Sequence, residues 1–329
     1  MNATVKSKPK LLSVAPMMAW TDTHCRFLHR LYTPSACLFT EMVTTGSLLR
    51  GGQWHQLDYG NNEHPIALQL GGNDPTELAQ CAAKASQLGY DEINLNVGCP
   101  SDRVQRGTFG ACLMREPQLV AECVRAMLDS CDIRVSVKCR LGVDDHDNNE
   151  LLLEFVDVVA TGGCNRFYLH ARKAILSGLS PAQNRSVPPL QPARVRFIKQ
   201  QRPQLEIIMN GGITSVAEAQ EHLQWADGVM IGRAAYQRPE FLAQLERLLF
   251  DPCFAPTTEE VLNKYQIYVK QQLISGQRLH SMTRHLLNTC NGMPGARRFR
   301  QVLSDSKRLK KKDLGILEEA FAHVIAKVA

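Results

Sequence analysis

The chain has 329 residues, 44% hydrophobic and 21% charged, with a net charge of +6. That is ordinary globular composition, long enough for one large core and a smaller second domain. No apolar run approaches the length that spans a bilayer, and the first ten residues, MNATVKSKPK, lack the apolar centre of a secretory signal. These features argue against an exported or membrane-embedded protein, and a cytoplasmic one is expected.

Along the chain, short apolar runs alternate with amphipathic segments. The runs are Leu11–Ala15, Ala36–Val43, Ile66–Leu70, Glu92–Val97, Ile133–Cys139, Arg166–His170, Leu205–Met209 and Asp227–Ile231. Helical periods fall between them, as in residues 74–89, 116–130, 194–203 and 215–224. Asp74-Pro75 and Glu116-Pro117 read as helix starts and Gly89 as a stop. Eight such alternations in residues 1–255 predict a (β/α)8 TIM barrel rather than an open doubly wound sheet. No G-x-G-x-x-G follows the first strand, which argues against a dinucleotide-binding domain.

Residues 171–193 carry four prolines and little periodicity, so they predict a long loop after strand 6, and long loops in compact domains are usually functional. After Pro256 the strand pattern stops. Residues 259–273, 278–290, 296–304 and 314–328 carry helical periods, so 256–329 is expected to form a small all-helical domain. Residues 257–329 hold thirteen Lys/Arg against six Asp/Glu, whereas the rest of the chain holds 25 basic and 26 acidic residues. The whole positive excess therefore lies in the tail, which points to a polyanionic partner there.

Eleven cysteines, an odd number with no C-x-x-C pair, read as reduced thiols rather than a zinc or redox motif. The ten histidines show no ligand spacing, and no metal is expected.

Several strands end on a polar residue that alternates with apolar neighbours: Gln69, Asn94 and Asn96, Lys138, His170 and Asn210. One such group is uninformative, since a lone buried His or Lys is usually a satisfied core residue. Five strands repeating the pattern describe a polar pocket at the carboxyl ends of the barrel strands, where barrel active sites lie. Asn210-Gly211-Gly212 after strand 7 and Gly232-Arg233 after strand 8 fit a phosphate cradle. Lys138 could then serve as a Schiff-base lysine or as a cation beside a flavin ring, and spacing does not separate the two. Cys99 lies between Gly98 and Pro100, where strand 4 must stop. An inert cysteine more often packs within a strand or helix.

The stretches SVAPMMAWTDTHCR, FTEMVTTG, LQLGG, YDEINLNVGCPSDRVQRGTFGACLM, VKCRLG, LHARKAILSGLSPAQNR, MNGGI, VMIGRAAYQRP and PGAR together resemble the tRNA-dihydrouridine synthases, the bacterial A-type in particular. The similarity runs from about residue 12 to the last helix. It implies a barrel holding non-covalent FMN, a C-terminal helical domain that grips tRNA, and NADPH-dependent reduction of the uracil C5=C6 bond at U20 and U20a of the D-loop. It implies that FMN is held by Pro16, Met17, Met18, Gln69, Lys138 and His170, with its phosphate on Asn210, Gly211, Gly212, Gly232 and Arg233. Cys99 is implied as the catalytic acid and Asn96 as a contact to the target nucleotide. Lys173, Arg185, Arg297 and Arg300 are implied as further tRNA contacts. A monomer is expected.

The chemistry needs such parts. Conjugation to the C4 carbonyl makes C6 of uracil electrophilic, so hydride adds there and C5 then takes a proton. A thiol with a reference pKa of about 8.5 is mostly protonated at neutral pH, yet can release that proton. Asn96 can offer a donor and an acceptor to uracil. With no dinucleotide fold, NADPH is expected to visit the flavin in turn with tRNA. Two other readings compete. An FMN barrel reductase of free pyrimidines, resembling dihydroorotate dehydrogenases, leaves the basic tail unexplained. A non-enzymatic RNA-binding protein leaves Cys99, Lys138 and His170 without work.

Overall fold

The structure is a computed structural model and describes residues 9–325. Eight strands form a closed barrel: Leu11–Val14 (β1), Cys37–Thr44 (β2), Ile66–Gly71 (β3), Glu92–Val97 (β4), Arg134–Cys139 (β5), Arg166–His170 (β6), Glu206–Asn210 (β7) and Gly228–Ile231 (β8). Each pairs in parallel with the next, and β1 closes on β8 with Leu11 opposite Gly228. Burial on both faces accounts for the nearly continuous apolar runs that mark these strands in the sequence. The seam is tight: a Cβ on Gly228 would lie 2.4 Å from the Leu11 carbonyl oxygen.

In chain order the helices are Thr23–Tyr32 (α1), Thr45–Leu49 (α2), Pro75–Gln87 (α3), Asp102–Arg106 (α4), Pro117–Asp129 (α5), Asn149–Thr161 (α6), Pro192–Gln201 (α7), Val216–Leu223 (α8), Arg233–Gln237 (α9), Glu240–Leu249 (α10), Thr258–Ile274 (α11), Leu279–Leu286 (α12), Ala296–Leu303 (α13), Ser306–Lys310 (α14) and Gly315–Ile325 (α15). Local chemistry sets their ends. Asp74 caps α3 by accepting from the Glu77 amide, and Gly89, at φ +86°, lies just past its stop. Thr257 and Glu260 cap α11 reciprocally.

Two expectations shift. The helix expected at 194–203 begins at Pro192, because proline at the first helical position has a suitable φ and loses no needed N–H. Among the described residues the tail holds five helices rather than four: α14 forms inside the basic run, where Asp305 accepts from the amides of Lys307 and Arg308. The tail's last expected helix, 314–328, extends beyond the described residues.

The chain groups into two compact units, Met1–Met18 with Cys37–Gly232, and Ala19–Ala36 with Arg233–Ala329. These do not coincide with the division expected at 255/256. Helix α1 joins the helical unit because its buried side chains find their partners there. His24 Nδ1 lies 2.7 Å from the Tyr268 hydroxyl, and Phe27 stacks on Tyr268 at 3.9 Å. Thr33 and Ser35, just after α1, donate their hydroxyls to the Glu246 carboxylate at 2.6 and 2.5 Å. In the same unit His285 Nε2 lies 3.0 Å from Asp22 Oδ1. Burial raises the Asp22 carboxyl, but the hydrogen bond and charge of His285 outweigh it and hold the group well below the usual carboxylate range.

Within the barrel, side chains on one face fill the interior. Ala15, Phe39, Ala67, Tyr168, Ile208 and Met230 form its apolar middle, with Phe39 edge-on to Tyr168 at 5.1 Å. Nearer the amino ends of the strands, Arg166 bonds Glu92 at 2.5 Å and Glu206 at 2.8 Å. Buried charges of this kind persist only when paired.

Candidate active site

Strand register brings the expected polar residues together. Gln69 lies opposite Asn94, Asn96 opposite Lys138, and His170 opposite Asn210. In-register neighbours share a face of the sheet and residues two apart repeat it, so all of these face the barrel interior. Asn210 Nδ2 donates to the Met230 carbonyl at 2.8 Å and ties β7 to β8.

A directed hydrogen-bond chain runs through this face. Asn96 Nδ2 donates to Gln69 Oε1, Gln69 Nε2 to Asn94 Oδ1, and Asn94 Nδ2 to Ser136 Oγ, each at 2.8 Å. Ser136 then donates to Glu92 Oε1 at 2.6 Å. Both ends fix its direction. Glu92 is bound by Arg166 and accepts, while Asn96 Oδ1 must accept because two backbone amides point at it. Three side-chain amides are thus oriented without ambiguity.

Those two amides belong to Gly98 and Cys99, at 3.1 and 2.9 Å from Asn96 Oδ1. The rest of the turn is held as firmly. The Gly98 carbonyl accepts from Arg140 Nε at 3.1 Å, the Cys99 carbonyl from the Ala111 amide at 2.9 Å, and the Pro100 carbonyl from Gln105 Nε2 at 2.8 Å. Gly110, at φ +74°, permits this approach, since a Cβ there would lie 2.6 Å from the Cys99 carbonyl oxygen. The Cys99 thiol is part-buried, 3.5 Å from Ser101 Oγ. All eleven cysteines are free thiols. Cys112 differs from Cys99 in bonding its own loop: its Sγ lies 2.9 Å from the Phe109 carbonyl oxygen, and burial pushes its thiol up.

Asn96 therefore has less to offer a ligand than its residue type allows. Both lone-pair directions of its oxygen are used by the backbone, and one N–H remains. Lys138 is part-buried beside it. Burial, reinforced by the nearby Arg140 charge, pushes its ammonium down to about 8 against the opposing pull of Cys139 and Cys99.

Two of the residues expected to hold a flavin phosphate are glycines in the left-handed region. Gly211 and Gly212 have φ of +106° and +75°, which favours glycine. A Cβ on Gly211 would lie 3.3 Å from His170 Nε2, so the backbone passes against that ring. A Cβ on Gly232 would meet only Ala15 Cβ, at 4.0 Å, which leaves room for a group against that backbone. Pro16 and Met17 are part-exposed after β1, and Met18 is 60% exposed. Arg233, the first residue of α9, belongs to the helical unit.

Lys173 is engaged within the barrel unit, its ammonium 2.9 Å from the Asp144 carbonyl oxygen and 3.3 Å from Asp147. Arg185 is exposed on the loop after β6. In the helical unit Arg297 is exposed, and Arg300 donates to Asn291 Oδ1 at 2.9 Å. Arg308 is bound to Asp313 and Glu319, at 2.7 and 2.5 Å. By contrast Arg297, Lys307, Lys310 and Lys312 form no salt bridge among the described residues.

Sequence reasoning missed Arg140 and Asn184. Arg140 continues the alternation of Ser136 and Lys138 by two more residues, which was a readable signal. Asn184 is fully buried, and its side chain bonds Ile175 N at 2.7 Å and Ile175 O at 2.8 Å. Nothing in its local sequence marked it. Among the described residues no three His, Cys, Asp or Glu side chains are grouped to hold a metal ion. No helix among them is long and apolar enough to cross a membrane.

The dihydrouridine synthase (Dus) family model matches residues 13–326. A protein of Yersinia pestis named tRNA-dihydrouridine(20/20a) synthase is 51% identical over 330 residues, covering 98% of this chain and 95% of that one. Similar proteins with the same name occur in Vibrio vulnificus, 50% identical over 95% of this chain and 96% of the relative, and in Xanthomonas axonopodis pv. citri, 54% identical over 89% and 88%.

Proposed function

The chain belongs to the dihydrouridine synthase family, and from that premise we propose that it reduces U20 and U20a in the D-loop of tRNA to 5,6-dihydrouridine, with NADPH as reductant and non-covalent FMN as carrier. The carrying observation is the Cys99 turn: a thiol with five neighbouring backbone groups clamped, set beside the polar ends of β3 to β6.

Gln69, Lys138 and His170, with Pro16, Met17 and Met18, are proposed to hold the flavin. Asn210, Gly211, Gly212, Gly232 and Arg233 are proposed to hold its phosphate, by backbone N–H groups and one guanidinium. When bound, the flavin supplies hydride to C6 of the uracil. Cys99 then gives its proton to C5: the S–H bond breaks, a C5–H bond forms, and the electron pair stays on sulfur as thiolate. Asn96 spends its oxygen on the turn and keeps one N–H for an acceptor on the base. Removing the base from its stack costs a few kcal/mol, offset by stacking and by hydrogen bonds to its edge. Residues 1–255 are proposed as the catalytic part and 256–329 as the tRNA-binding part, with Arg297 and Arg300 on phosphates and Lys173 and Arg185 beside the substrate. The cell compartment proposed is the cytoplasm, and the working form a monomer.

Mass spectrometry of unmodified tRNA incubated with the protein and NADPH tests this reading. A gain of about 2 Da in a D-loop fragment is expected, from the two hydrogens that hydride and proton addition bring. Reduction of free uridine or orotate without reduction of tRNA would overturn it.

A further inference from the structure

We propose that Ser136, anchored on Glu92, is the positioning residue that fixes the Gln69 side chain with its oxygen toward the barrel mouth and its nitrogen toward the interior. The inference rests on the reading of Gln69 as a flavin contact and adds to it two residues set back from the mouth.

Position comes first. Ser136 on β5 stands opposite Asn94, and Glu92 is the inward-facing residue of β4 before Asn94. Both lie further from the carboxyl ends of their strands than Asn96 and Lys138, and both are buried, at 0% and 3% exposure. The Ser136 hydroxyl has two acceptors in reach, Glu92 Oε1 at 2.6 Å and the Ile93 carbonyl at 3.4 Å. The carboxylate wins, because the bond is shorter and charge-assisted. Glu92 is itself held as an acceptor by Arg166 Nη1, at 2.5 Å. The single proton of the hydroxyl is thus spent, and toward Asn94 Ser136 can only accept.

Polarity follows. With its nitrogen on Ser136, Asn94 turns its oxygen to Gln69, which gives it Nε2 and keeps Oε1 for Asn96. Asn96 lies two residues nearer the end of β4 than Asn94, so the oxygen is the mouthward atom of the Gln69 amide. The Gln69 backbone N–H is bonded to Thr40 Oγ1 at 3.0 Å, so only the side chain is free to turn. One lone pair remains on Oε1. It suits a ring N–H, the one donor that a flavin carries between its two pyrimidine carbonyls.

The chain has no slack. Asn96 cannot turn, because its oxygen holds the amides of Gly98 and Cys99. Without Ser136 Oγ the Asn94 nitrogen loses its acceptor. Turning Asn94 would then set two donors face to face at Gln69, and turning Gln69 as well would set them face to face at Asn96. The mismatch falls on Gln69, the longest of the three amide side chains, while the Cys99 turn keeps both of its bonds.

The test uses the full-length holoenzyme. FMN release on dilution is followed by flavin fluorescence in wild type, Ser136→Ala, Gln69→Leu and the double variant. Ser136→Ala should release FMN roughly 3- to 10-fold faster, the net worth of one hydrogen bond. Hydrogen exchange at the Gly98 and Cys99 amides should stay as in the wild type. In the Gln69→Leu background Ser136→Ala should add less than about twofold, because the residue that it positions is gone. A general loosening of the barrel would instead add in full, so additivity would overturn the proposal, as would faster exchange at Gly98 and Cys99. If Ser136→Ala does not fold, Ser136→Cys decides, its thiol being of similar size but a weak acceptor; release at the wild-type rate would overturn the proposal. Unchanged release from Gln69→Leu would remove the reading of Gln69 as a flavin contact, and the proposal with it.

Discussion

The side-chain oxygen of Asn96 accepts the backbone N–H of Cys99 at 2.9 Å, so the last inward-facing residue of β4 caps the turn that presents the thiol. The same oxygen holds the Gly98 amide, and the Asn96 amide group is fixed by Gln69. The thiol is therefore positioned from inside the barrel before any substrate arrives, which is what a proton donor requires.

Cys99→Ala should keep the flavin and its reduction by NADPH, since neither step needs an acid at C5. Reoxidation of that flavin by tRNA should slow by roughly 10²–10⁴-fold, the range typical of a lost general acid. Stopped-flow absorbance separates the two half-reactions. Cys112→Ala, whose thiol bonds its own loop, should be almost silent; equal losses in both variants would assign the effect to packing.

Heat-denatured protein should release FMN of unaltered mass. The motive is the pair of glycine turns and the part-buried Lys138, whose ammonium suits the negative pole of a reduced ring. Recovery of FAD, or of a flavin that stays attached to peptide, would contradict the site as drawn.

Arg297→Ala with Arg300→Ala should weaken tRNA binding and flatten its salt dependence, by up to about one unit of log–log slope per lost phosphate contact. Arg297, exposed and without an acidic partner, should account for more of the loss than Arg300, which is already bonded to Asn291. Filter-binding affinity against salt measures both, with flavin content as the folding control. An unchanged slope would return these arginines to the status of a solvated helix face.

Acid should destabilise the helical unit. Burial lowers His24 from 6.5 to about 4, although Asp22 opposes it, and lowers His29 from 6.5 to about 3. Both are neutral when folded and take up protons more readily when unfolded, so their contribution is complete above pH 6.5 and is lost as pH falls toward 4 and 3. At pH 4 each represents on the order of 3 kcal/mol. Thermal melts followed by circular dichroism should fall steeply between pH 6.5 and 4, and less steeply in His24→Gln with His29→Gln. A flat profile in the wild type would show that these rings already meet solvent.

The barrel was legible in the sequence because its signal is local and repeated. A strand buried on both faces favours a nearly continuous apolar run, and each of the eight runs lies within about two residues of a strand. The polar strand ends were legible for a related reason: alternation along one strand fixes which face each residue takes, whatever the neighbouring strand contributes. Gly98-Cys99-Pro100 marked a strand exit by composition alone. The division at 255/256 followed the change from strand to helix periods, but compactness depends on which side chains meet. Only the folded chain brings α1 to Tyr268 and the segment after it to Glu246, more than two hundred residues away. Asn96 is the sharpest case. Its residue type allowed an acceptor for a ligand, and only the fold shows that Gly98 and Cys99 already occupy that oxygen. Asn184 was hidden for the same physical reason, and so were the partners of Arg140, though its place in the alternation of β5 was readable: those partners are backbone carbonyls and amides, which every residue carries, so only tertiary proximity decides which are used.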